Sequence, residues 1–172
     1  MSIAALALII VATPPATDMT PMLGFANARM CKLVPEGERI AVAIGAARRN
    51  IRVATLTGGR TLVARVTDRS GRGDTDRMSE VTLPTGSTLH GLPVMRILTK
   101  SYHKAESDAY RSREIVFAVT PARVHAMMRS LGADVPPSPG YLAIPDPDDI
   151  QNGAISIKGS GSTTTLRCSW GL

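Results

Sequence analysis

The two cysteines, Cys31 and Cys168, are the residues whose type and spacing most clearly point to chemistry. Neither has a second Cys or His at the spacing of a metal-ligand set, which leaves thiol oxidation. In an oxidising compartment two thiols that the fold brings together are expected to pair. A loop this long would restrict the unfolded chain by about 4 to 5 kcal/mol in the chain-entropy treatment. The expectation is therefore a Cys31–Cys168 bridge.

The compartment is read from the other end of the chain. Residues 3–12 are uniformly apolar, "TPPAT" follows, and no charged side chain precedes Asp18. The run is shorter than the roughly 20 residues a bilayer span needs. It fits the roughly 7 to 15 of an export signal, with Ala12 and Ala16 suited to cleavage. Residues 1–16 thus read as a signal peptide and 17–172 as one domain, periplasmic or secreted and without a transmembrane span. The stretch ahead of the apolar run lacks the Lys or Arg that usually opens such a signal, and a buried first strand or helix is the alternative. A lipidated cysteine fits less well, because Arg29 and Met30 precede Cys31.

Other candidate groups carry less. In "DRSGRGDTDRMSE", Asp68, Ser70, Gly73 and Asp76 fall at calcium-loop spacing. Arg72 occupies a ligand position, however, and Ser79 stands where a bidentate Glu is required. The tripeptide Arg72-Gly73-Asp74 is too short to carry an adhesion reading. Asp146, Asp148, Asp149 and Asn152 gather oxygens but read as an acidic turn. The Gly-rich "TGGRT" and "KGSGS" lack the Gly-Lys-Ser/Thr ending of a phosphate loop and read as hairpin turns. His90, His103 and His125 are isolated from one another and read as surface side chains. No nucleophile elbow links a Ser to a His and an Asp. Hence the sequence points to no catalytic residue, metal or cofactor.

What remains is charge. Lys and Arg number 20 against 14 Asp and Glu, a net charge of +6. Residues 29–129 hold 18 of the basic side chains against 9 acidic ones, so the excess belongs to the middle of the chain. Such a balance favours an anionic envelope component or an acidic protein as partner. The leading expectation is an exported, non-catalytic binding or accessory protein. A small exported hydrolase or transferase whose site assembles only in three dimensions is the alternative. Nucleic-acid binding comes third: export argues against it, and with 3% aromatic residues there is little to stack on bases.

The elements that must position these groups follow from pattern. Hydrophobic residues make up 44% of the chain and aromatics are scarce, so the core must be aliphatic. Residues 39–46, 51–57 and 61–67 read as strands, with Gly58-Gly59 closing the second hairpin. Residues 68–79 and 100–112 are polar and read as long loops. Strands are expected at 80–83, 89–99 and 113–119, with Gly91 and Pro93 marking a bulge or an edge.

Residues 121–131 read as a helix. Thr120 precedes Pro121, Val124, Met127, Met128 and Leu131 form one stripe, and Gly132 stops it. The Pro-rich 133–147 is irregular, and a last hairpin carries Cys168. The fold class is α+β: a mainly antiparallel sheet of about six to eight short strands with one amphipathic helix packed on it. In an up-and-down sheet the 47–50 turn and the two polar connections share one end. That end gathers Arg72, Arg77, Lys104 and Arg111 as the expected anion contacts.

Overall fold

The computed structural model describes residues 16–56, 59–71, 74–104, 107–144 and 153–171. The expected signal peptide lies outside them except for Ala16, as do Arg72, Gly73 and the Asp146, Asp148, Asp149 and Asn152 of the expected acidic turn. Along the chain run α1 (Thr20–Leu23), β1 (Phe25–Asn27), a 3-10 turn (Ala28–Met30), β2 (Lys32–Leu33), α2 (Pro35–Ala46) and β3 (Ile51–Thr55). They are followed by β4 (Thr61–Gly71), β5 (Asp74–Thr82), β6 (Thr88–Leu89), β7 (Leu92–Lys104) and β8 (Ser107–Phe117). The chain ends with α3 (Pro121–Ser130), β9 (Leu142–Ile144), β10 (Gly153–Ser160) and β11 (Thr163–Gly171).

Nine strands form one antiparallel sheet in the order β3-β4-β5-β7-β8-β11-β10-β9, with β6 paired to β7, and β1 and β2 make a separate pair. The α+β class is as expected from the sequence. The register shows why one face is a core. Ala64, Val81, Ile97, Ile115, Leu166 and Ile157 are successive cross-strand partners from β4 to β10. All six are buried, and Ile40 and Ile44 of α2 and Val124 and Met128 of α3 join the same cluster. Burying a side chain of this size stabilises by about 1.5 to 3 kcal/mol.

The helix at α3 matches its expectation in place and face. Pro121 occupies the first turn, Val124, Met127 and Met128 are buried, and Gly132 takes φ +84°, the left-handed conformation of a helix stop. Thr120 makes no side-chain cap bond, and Leu131 is only partly buried.

Three expected elements are corrected. Residues 39–46 are not a strand but the larger part of α2. Pro35 sits in the first turn, with Glu36 and Glu38 where the helix dipole favours acids. The buried set is Gly37, Ile40, Ala41 and Ile44, a helical stripe, while Val42 is 68% exposed. Gly37 permits a close approach, since a Cβ there would stand 2.9 Å from Leu33 Cβ and 3.0 Å from Met22 O.

Residues 68–79 and 100–112 are not long loops either. β4 and β5 stay paired out to Gly71 and Asp74, and β7 and β8 out to Lys104 and Ser107. Polar cross-strand partners hold these extensions together: Arg77 Nη2 lies 3.2 Å from Asp68 Oδ2, and the Tyr102 and Tyr110 rings are 5.8 Å apart. Asp68, Ser70 and Asp76 consequently lie on paired strands rather than in a calcium-type loop.

The expected disulfide is present. Cys31, at the end of the 3-10 turn, joins Cys168 of β11 across a separation of 137 residues, with Cα atoms 6.2 Å apart. Both residues are buried. Among the described residues no helix is long and apolar enough to cross a membrane.

A candidate anion-binding cleft between helix and sheet

Two rows of the sheet beyond the apolar one change character stepwise. The first carries Val66, Ser79, Thr99, Arg113, Cys168 and Ile155, and the second Asp68, Arg77, Ser101, Arg111, Trp170 and Gly153. Because side chains alternate between faces along a strand, all of these share the face that carries α2. Moving toward the hairpin tips, that face passes from aliphatic to hydroxyl to cationic.

The last turn of α2 stands off this part of the sheet. A Cβ built on Gly45 would have only Thr99 Oγ1 within 4 Å, at 3.9 Å. The gap is a cleft of about 630 Å³. One wall is Ala41, Val42, Gly45 and Ala46, followed by Arg48, and the other is the sheet from Arg77 across to Trp170.

The arginines at the cleft differ in how far they are committed. Arg113 donates from Nη1 and Nη2 to Glu38 Oε1 and Oε2, at 3.1 and 2.8 Å, and from Nη1 to the Cys31 carbonyl at 3.2 Å. Its Cζ also lies 5.7 Å from the Trp170 ring centroid. Arg113 thus ties α2, the disulfide loop and β11 together. Burial works against the charge on Glu38. The bonds from Arg113 and from the Leu33 N–H, with the positive charges of Arg113 and Lys32, outweigh it and hold the carboxyl below its ordinary value. Arg77 is oriented by Asp68, which accepts from Nε and Nη2 at 3.3 and 3.2 Å.

Arg48 and Arg111 are exposed, and among the described residues neither has a carboxylate partner. On the opposite face Lys100 and Arg167 share one carboxylate. Glu114 there lies 3.0 Å from Lys100 Nζ and 3.7 Å from Arg167 Nε, and the Arg167 guanidinium lies over Tyr110.

Of the four expected contacts, the structure brings Arg77 and Arg111 into one cleft, one on each side of Ser101. Lys104 ends β7 opposite Ser107, and Arg72 lies outside the described residues. Pairing of Thr75 with His103 puts the two hairpin tips at the same end of the sheet, and the 47–50 turn brings Arg48 to the cleft from α2.

Sequence reasoning missed Ser101, Trp170 and the α2 wall. Trp170 carried a usable signal: it lies two residues beyond Cys168 on a strand and so must share the disulfide's face.

Two of the histidines, His90 and His125, lie away from the cleft. His90 is not a surface side chain. Its Nε2 accepts from the Phe25 N–H at 3.1 Å, its backbone N–H donates to Thr20 Oγ1 at 2.7 Å, and its ring stacks on Phe25. Burial pushes the His90 pKa down, against the raising charge of Asp18. His125 Nδ1 lies 3.1 Å from the Val135 carbonyl. Among the described residues no three His, Cys, Asp or Glu converge as a metal site. No family model, curated protein or solved structure matches the chain.

Proposed function

We propose that this is an exported, non-catalytic binding protein whose cleft between α2 and the sheet takes an anionic ligand. One observation carries the reading: among the described residues Arg48 and Arg111 stand without carboxylate partners, at a cleft whose floor adds the guanidinium of Arg77. Forked guanidinium donors bind carboxylate, phosphate and sulfate oxygens in pairs, more strongly than neutral donors do. Among the described residues the lining offers hydroxyl and guanidinium groups without a histidine or carboxylate, a set suited to holding an oxyanion rather than to moving protons. Export is supported by the buried disulfide, which forms and persists in oxidising compartments. The test is a titration of the oxidised full chain with inorganic phosphate and sulfate at low and raised salt, followed by backbone NMR shifts. Saturable shifts at Ser101, Arg111 and Trp170 that weaken with salt and vanish in Arg48→Gln/Arg111→Gln are expected. Shifts spread evenly over the surface, or unaltered in the double variant, refute the cleft as the site.

A further inference from the structure

Resting on that anion-binding reading, we infer that the ligand is one small amphiphilic anion per chain. Its oxyanion head lies on the Arg77–Ser101–Arg111 row, and its apolar body lies along the last turn of α2 and against Trp170.

The head site follows from register. Arg77, Ser101 and Arg111 are direct cross-strand partners on β5, β7 and β8. With strands about 4.8 Å apart, the two arginine Cα atoms are about 10 Å apart with the serine midway. Arg77 is held toward Asp68 on its other flank by Nε and Nη2, which leaves Nη1, and the exposed Arg111 is long enough to reach over the Ser101 hydroxyl between them.

The body site follows from what α2 leaves uncovered. Val42 is 68% exposed although Ile40 and Ile44 of the same helix are buried, and the exposed Ala46 lies one turn on. Both line the cleft, with the open space at Gly45 between them. A cleft of about 630 Å³ falls within the roughly 300 to 1,000 Å³ of small-molecule sites and far exceeds the space a bare phosphate fills. The same geometry disfavours a bilayer or another extended polyanion. The Arg77 side chain is only 14% exposed, at the bottom of the cleft, where a single molecule reaches and a flat surface does not.

Trp170 is the protein's only tryptophan and lines the cleft, so its fluorescence reports on occupancy directly. The experiment titrates the oxidised full chain with four probes: dodecyl phosphate below its micelle threshold, inorganic phosphate, the neutral amphiphile dodecyl maltoside, and phosphatidylglycerol vesicles. Calorimetry supplies the stoichiometry. Dodecyl phosphate is expected to bind one per chain, at least about tenfold more tightly than inorganic phosphate and than dodecyl maltoside. Arg111→Gln should remove the preference over the neutral amphiphile. Val42→Ser and Gly45→Leu should remove the preference over inorganic phosphate, with urea midpoints showing that both variants are folded.

Equal binding of dodecyl phosphate and inorganic phosphate would overturn the amphiphile inference and leave the anion-binding reading standing. Absence of binding by any anion would overturn both. Binding of vesicles without monomeric dodecyl phosphate, or of many molecules per chain, would also overturn the inference.

Discussion

Replacing both cysteines, as Cys31→Ser/Cys168→Ser, removes a constraint whose size follows from chain length. The bridge spans 137 residues, and for a loop of that size the chain-entropy relation gives about 5 kcal/mol at 25 °C. The native state loses little else. Cys31 and Cys168 lie in well-packed surroundings, and the segment around Cys31 keeps independent ties. Arg113 donates to the Cys31 carbonyl, Glu38 accepts from the Leu33 N–H at 2.7 Å, and Met19, Leu23 and Leu33 are each 1% exposed. The effect should therefore appear as greater freedom of the unfolded chain rather than as a loosened native structure. With a urea slope of about 2 kcal/mol/M, the midpoint followed by Trp170 fluorescence should fall by about 2.5 M, and reductant should do the same to the native sequence. A fall below about 0.5 M would refute the entropic account. Amide exchange that speeds up only across residues 18–33, with the global midpoint unchanged, would show that this segment opens by itself and would refute it too.

Acid should weaken the protein in two stages. The lowered His90 pKa means that the unfolded chain takes up a proton first, so its contribution is complete above about pH 6.5 and is lost as pH falls toward the lower folded value. The lowered Glu38 pKa places a second loss below about pH 4.5, and His90→Asn and Glu38→Gln should each remove one stage from a pH series of urea midpoints. The two glycines of α2 should respond oppositely in thermal melts. Gly45→Ala has room and should gain up to about 1 kcal/mol, whereas Gly37→Ala meets Leu33 and Met22 and should lose about 1 to 3 kcal/mol. Met128→Ala at a 0% exposed position should cost about 2 to 5 kcal/mol, and Leu131→Ala, only partly buried, distinctly less. Intact mass of protein exported from a bacterial host should show a first residue between Thr13 and Met19 and a gain of about 2 Da on reduction, whereas a retained Met1 would count against export.

The sequence by itself determined the parts whose information is local. α3 was legible because Pro121, the Val124–Met127–Met128 stripe and Gly132 act within one short segment. The C-terminal hairpin was legible from alternation around a Gly-Ser turn. The cysteine pair was legible from composition and the expected compartment, since two thiols without nearby ligands have few other fates in an oxidising one. Only the tertiary structure decided the rest. Residues 40–44 satisfy both periods, Ile40, Val42 and Ile44 matching a strand, Ile40, Ala41 and Ile44 a helix. Contact with the sheet is what buries the second set and leaves Val42 in the open. The outer halves of β4, β5, β7 and β8 look like loops because hydrophobic pattern is blind to polar cross-strand pairs such as Asp68 with Arg77. The cleft is further still from local reading. Arg48, Arg77, Ser101, Arg111 and Trp170 come from five segments, and only the register of four strands and the lift of one helix end bring them within reach of a single ligand.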